Sequence, residues 1–191
     1  MIEIEKIELT NISGVMYRIK GTNLFHREDG PAIETIYEGK TWYSHGKVHR
    51  EGGPAIEHVD GTKEWYKHGL RHRVDGPAII LKDGTEKWFL NGYLHREDGP
   101  SIDDKKGYKA YYYNGKLHRD GGPAVIYQDG AEVWFMHGKT HRVDGPAITK
   151  KDGYEAWFLN DLNFQTKEKW FEALNDEQKV VVLYSECFIR G

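Results

Sequence analysis

The chain has 191 residues, and its 27 Lys and Arg against 30 Asp and Glu leave a net charge of −3. That near balance argues against a strongly basic nucleic-acid binder and against an acidic nucleic-acid mimic alike. Hydrophobic residues make up only 38%, while Gly reaches 22 copies and aromatics 13%, which is a profile of short strands and tight turns. The lone Cys187 rules out an internal disulfide framework and fits a reducing compartment. No apolar run reaches the roughly 18 residues of a membrane span. The acidic, alternating N-terminus "MIEIEKIELT" is no signal peptide, so a cytoplasmic protein is expected.

The first predicted element is a hairpin. Ile2, Ile4, Ile7 and Leu9 precede a turn near residues 11–14, and Val15, Tyr17 and Ile19 alternate after it. Residues 1–25 are read as a cap on the first open sheet edge. A rhythm then begins. "HREDGP" stands at 26–31 and 95–100, "HREGGP" at 49–54, "HRVDGP" at 72–77 and 141–146, and "HRDGGP" at 118–123. The leading histidines fall at 26, 49, 72, 95, 118 and 141, a step of 23 residues each time. A fixed period in the twenties marks a repeat architecture.

One unit reads "AIILKDGTEKWFLNGYLHREDGP", residues 78–100. An apolar stretch runs into Asp83-Gly84, a second stretch through Trp88 and Phe89 runs into Asn91-Gly92, and a Gly-Pro corner closes the unit. Asp-Gly and Asn-Gly between apolar stretches predict type I′ hairpin turns. His45, His68 and His137 share the position of Asn91, and both residue types tolerate positive φ, so these three histidines are read as turn residues. The six prolines all sit in the corners, where a missing N–H marks a strand entrance. Where Gly52 or Gly121 replaces the corner aspartate, Glu51 or Asp120 supplies an acid one place earlier, so each corner is expected to keep a carboxylate near its Arg. The aromatic pairs at 42–43, 65–66, 88–89, 111–112, 134–135 and 157–158 predict two stripes on opposite faces of a strand. With two strands per unit, equivalent residues recur about every 10 Å.

The 23-residue step, the x-Asn-Gly-x-x-His element and the aromatic-rich hairpins over residues 15–160 resemble MORN and MORN-like repeats. The "HRxDGPA" corner resembles variant repeats of large bacteriophages and giant DNA viruses, although MORN units carry His-Gly where this chain has His-Arg. The resemblance implies an elongated antiparallel β-hairpin array that contacts proteins, with no catalytic activity. It also points to a viral protein that blocks a host factor. The expected fold is mainly β, with six repeats over 26–165 and a helical cap over 166–191. In that cap Thr166 is read as an N-cap. Trp170, Phe171 and Leu174 share one helical face, and Asp176 opens a second helix carrying Val180, Leu183, Tyr184 and Cys187.

Catalysis finds no support, since there is no GxSxG, P-loop or HExxH. Neither a cofactor nor a metal is expected, because histidines about 10 Å apart cannot share one zinc. His58, outside the pattern, reads as an exposed strand residue. The expected partner is a protein, bound by Trp65, Trp88, Tyr111 and Trp134 with Arg73, Arg96 and Arg119, the protein itself being a monomer or homodimer. Residues just after the aromatic pair, such as Ser44, Lys67, Leu90, Tyr113 and Met136, vary and would encode recognition. The alternative is a small-ligand sponge in which His72, His95 and His118 help hold a phosphorylated metabolite or nucleotide signal.

Overall fold

A computed structural model describes residues 2–11 and 13–189. The fold is mainly β, with two short helices at the C-terminal end. The chain divides into two compact units, residues 1–95 and 96–191.

In the first unit β1 (Ile4–Leu9) and β2 (Gly14–Ile19) form the expected N-terminal hairpin, paired Ile4 to Ile19 through Leu9 to Gly14. Ile12, in the turn predicted near 11–14, lies outside the described residues. The antiparallel sheet continues from β2 through short strands at Ile33–Thr35, Gly39–Thr41, Ile56–Glu57, Lys63–Glu64, Ile79–Ile80 and Glu86–Lys87. In the second unit it runs from Ile102–Asp103 through Lys109–Ala110, Val125–Ile126, Glu132–Val133 and Ile148–Thr149 to Glu155–Leu159 and Leu162–Phe164.

Each repeat supplies more strand than the sequence pattern implied. Besides the sheet hairpin there is a second hairpin outside the sheet, such as Tyr66–Lys67 with Leu70–Arg71, or Tyr112–Tyr113 with Lys116–Leu117. In the five pairs from 42–43 to 134–135 the first aromatic lies between the two hairpins and belongs to neither, so the two predicted faces of a single strand do not exist there; Trp157 and Phe158 alone share one strand, Glu155–Leu159. The backbone stays satisfied at this bend. Trp42, Trp65, Tyr111 and Trp134 each donate their N–H to the Ala carbonyl of the next corner, at 2.7–2.8 Å. Their own carbonyls accept from the N–H of His49, His72, His118 and His141, at 3.0–3.1 Å.

The two turns also differ. His45, His68, Asn91, Asn114 and His137 have φ of 48–51°, and each is followed by a Gly at positive φ, as type I′ requires. At the Asp-Gly turns only the Gly is left-handed. There the Asp side chain accepts from the N–H two residues on, as Asp60 does from Thr62 at 2.8 Å and Asp83 from Thr85 at 3.0 Å. The backbone bonds Gly61 N–H to His58 O and His58 N–H to Thr62 O close a three-residue loop with a glycine bulge. The Asp is therefore chosen for an Asx bond and not for positive φ.

The core is thin and built from small residues. Ala32, Ala55, Ala78, Ala124 and Ala147, each directly after a corner proline, are fully buried. Ser101 fills that place after Pro100, its Oγ donating to Tyr112 O and accepting from Tyr112 N–H. At the C-terminus Thr166 caps α1 (Lys167–Ala173), accepting from Lys169 N–H, and α2 (Asp176–Ile189) follows. Trp170, Leu174 and Val182 form the buried cluster, with Trp157, Phe164 and Phe171 packed against it. The expected face of the second helix is corrected here: Val180, Leu183 and Tyr184 are exposed, and Val182 faces inward. The Cys187 side chain lies outside the described residues. Among the described residues no helix is long and apolar enough to cross a membrane.

Candidate functional site

The repeated corner is built around its arginine. The Arg73 guanidinium lies 4.3 Å from the Trp65 ring centroid, Arg50 lies 3.8 Å from Trp42, Arg119 4.0 Å from Tyr111, and Arg142 3.8 Å from Trp134. Its other side rests on the corner glycine. A Cβ on Gly76 would stand 2.7 Å from Arg73 Cζ, and one on Gly99, Gly122 or Gly145 would stand 2.9 Å from the corresponding Cζ. The guanidinium is thus sandwiched between an aromatic face and a bare backbone. The donors are used as well: Arg73 Nε bonds Asp75 at 2.9 Å and Nη1 bonds Pro77 O at 3.3 Å. Arg96 repeats this with Asp98 at 2.8 Å and Pro100 O at 3.4 Å. The guanidiniums hold Asp29, Asp75 and Asp98 below the ordinary carboxylate range, chiefly through these hydrogen bonds. It is the ring face that is used here. Tyr111 serves as well as a Trp, and the Trp134 Nε1–H is buried without a hydrogen-bond partner.

In the Gly-Gly corners the expected acid–Arg pair is replaced. Glu51 and Asp120 approach the ring of their own histidine, at 3.4 Å from His49 Nε2 and 3.6 Å from His118 Nε2. Arg50 instead reaches Glu57 at 2.9 Å. A left-handed φ of 73° at Gly52 turns the chain, and no aspartate side chain is present there to meet Nε.

The ladder histidines join successive repeats. His26 Nδ1 accepts from His45 N–H at 3.2 Å, His49 from His68 at 3.3 Å, His72 from Asn91 at 3.2 Å, His118 from His137 at 3.3 Å, and His141 from Asn160 at 3.2 Å. An acceptor at Nδ1 places the proton of the neutral ring on Nε2. The turn histidines lie over these rings, His68 on His49 at 4.5 Å and His137 on His118 at 4.3 Å. Burial pushes the His49 and His141 pKa down, His68 adding to the effect on His49.

Between consecutive corners the surface opens into clefts with one recurring lining. Residues 26–31 face 49–51 across about 640 Å³, residues 50–54 face 72–75 across about 480 Å³, and residues 96–100 face 118–120 across about 730 Å³. Of the sequence-predicted site residues, Trp65, His72 and Arg73 line the second cleft, and Arg96, Tyr111, His118 and Arg119 line the third. Trp134 lies apart from these three clefts, lining a hollow of about 150 Å³ with Phe135, His141 and Arg142. Trp88 and His95 meet through the backbone, the His95 N–H donating to Trp88 O at 3.1 Å. The exposed Tyr113, singled out as a variable position, lines the third cleft with Glu97 and Asp98.

The chain matches no protein-family model and no curated protein. Its functional reading rests on geometry.

Sequence reasoning missed one polar group. Glu64, largely buried, accepts from His58 Nε2, Tyr66 OH and Arg71 Nε, each at 3.1 Å. His58 is therefore a bonded member of a network; burial pushes the Glu64 pKa up, and the hydrogen bonds from His58, Arg71 and Tyr66 outweigh it and bring the pKa below the usual value. The signal was available in the departure of Glu64 and Arg71 from their repeat positions, where Ala110 and Leu117 stand in a later unit.

Proposed function

We propose that the protein is a non-enzymatic repeat scaffold that binds a partner protein along its clefts. The observation that carries this reading is the recurrence of one open, aromatic-floored cleft between successive corners, with its frame held constant and its lip residues varied. A rigid frame lowers the ordering cost of binding. Tyr and Trp faces supply contact area at little entropic cost. The sandwiched arginines frame the clefts, and the variable contacts fall to exposed neighbours such as Tyr113 and Val74. A host factor as target, and a viral source, rest on the corner motif's resemblance alone.

A small-ligand sponge fits less well. The clefts lie open to solvent, and His72 and His118 already use Nδ1 inside the fold. The test is capture from lysate with mass-spectrometric identification, comparing the wild type with a Tyr113→Ala, Val74→Ser variant. Both residues are exposed, so an unchanged circular dichroism spectrum is expected, and capture of the specific partner is expected to drop at least tenfold. A control variant with Ile36→Ser and Val59→Ser, exposed but outside the clefts, retains capture. A stoichiometric small molecule released from the denatured protein, with no captured protein, overturns the proposal.

A further inference from the structure

We infer that the clefts take an extended, positively charged segment of the partner, with Arg or Lys at about every third position. This rests on the protein-binding reading above and specifies its chemistry. The sequence placed the arginines both beside a corner carboxylate and among the partner-binding residues. In the structure they face inward: their guanidiniums lie between ring and glycine, with Nε and Nη1 of Arg27, Arg73, Arg96 and Arg142 bonded within the corner. The carboxylates face outward. Side-chain exposure is 86% for Glu28, 79% for Glu51, 82% for Asp98 and 87% for Asp120, against 20–23% for Arg27, Arg73, Arg96 and Arg142.

Charge is also segregated along the repeat. Segments 28–31, 51–54, 74–77, 97–100, 120–123 and 143–146 carry eight carboxylates and no lysine. The lysines lie at the hairpins, as Lys47, Lys67, Lys116 and Lys139 do, with Lys67 also lining the second cleft. The first cleft thus has Glu28 and Asp29 on one lip and Glu51 on the other, above Trp42 and Tyr43. The third has Glu97 and Asp98 facing Asp120, beside Tyr111 and Tyr113. A carboxylate on each lip over an aromatic floor suits a cationic side chain, whose methylenes lie on the rings while its head bonds between the acids.

Spacing narrows the ligand further. Two strands per repeat in the sheet advance about 10 Å. An extended chain spans about 3.3 Å per residue, so successive clefts fall three residues apart on the ligand. Two lips break the pattern: Val74, 77% exposed, and Val143, packed against the C-terminal buried cluster, stand where Glu28, Glu51, Glu97 and Asp120 stand in other repeats. The second cleft therefore lacks one acid, and Val74→Glu supplies it.

The probe is a fluorescein-labelled (Arg-Ser-Gly)3 peptide, of a length for the clefts of the first unit, compared by anisotropy with a peptide of the same composition whose arginines are contiguous, and with (Glu-Ser-Gly)3. The spaced basic peptide is expected to bind most tightly. Added salt weakens it, Glu28→Gln with Glu51→Gln weakens it roughly fivefold, and Val74→Glu tightens it roughly two- to threefold. Equal binding of the acidic peptide, preference for heparin, or indifference to all three substitutions overturns the inference. Capture of a partner that is lost with Tyr113→Ala, Val74→Ser but insensitive to Glu28→Gln, Glu51→Gln would overturn the charge assignment and leave the scaffold reading standing. Absence of any captured protein together with no peptide binding would remove both.

Discussion

Gly76 carries no side chain because Arg73 Cζ occupies the place where its Cβ would go, at 2.7 Å. Its backbone is not left-handed, so the need is steric and not conformational. The two causes predict opposite signs. Gly→Ala at a compatible backbone stabilises by about 0.4–1 kcal/mol through the unfolded state. Overfilling a packed contact costs about 1–3 kcal/mol. Gly76→Ala is expected to destabilise by the second amount in urea titration, because the guanidinium must leave either Trp65 or its bonds to Asp75 and Pro77. An unchanged or raised midpoint would show that the sandwich is incidental.

At the scale of the hairpin, the ladder histidine couples one repeat to the next through a ring nitrogen that must stay unprotonated. Protonated His49 would present an N–H to the His68 N–H in place of a lone pair. Burial and the stacked His68 lower its pKa, with Lys67 acting in the same direction and Glu51 opposing. His141 is lowered by burial, with Asn160 opposing. The unfolded chain therefore binds more protons once pH falls below about 6.5. The contribution is complete above that pH and is lost as pH falls through the folded pKa. Denaturant midpoints measured from pH 8 to pH 5 should fall across this window. His49→Asn keeps an acceptor that does not titrate, so its profile should be flatter; a profile as steep as the wild type's would assign the acid sensitivity elsewhere.

At the scale of the whole chain, an isolated hairpin is marginal in water, so stability must come from stacking one repeat on the next. Both ends are modified accordingly. Tyr17 takes the Trp place at the start, its N–H donating to Ala32 O at 2.7 Å and Arg27 lying 4.1 Å from its ring. At the other end Phe164 and Gln165 stand where His and Arg would recur. Trp170 covers the Trp157 ring at 4.6 Å and bonds Arg142 O. Because the links join like positions, removing one whole period is expected to preserve the fold. Deleting residues 50–72 should keep the circular dichroism spectrum and lower the midpoint, whereas deleting residues 50–61 should abolish cooperative unfolding. If the two deletions behave alike, the nearest-neighbour picture is wrong.

The sequence alone determined the period, the hairpins and the type I′ turns at His/Asn-Gly. Each of these is local: a fixed step, a residue type tolerant of positive φ, a proline that cannot donate. It did not determine which way the corner charges face. "HREDGP" contains a cation and two anions within six residues, and only the packed ring and bare glycine decide that the guanidinium turns inward and the carboxylates outward. The bend at Trp and the role of Val182 were hidden for the same reason. They depend on partners one repeat or one helix away, and the periodicity of a segment says nothing about what will be packed against it.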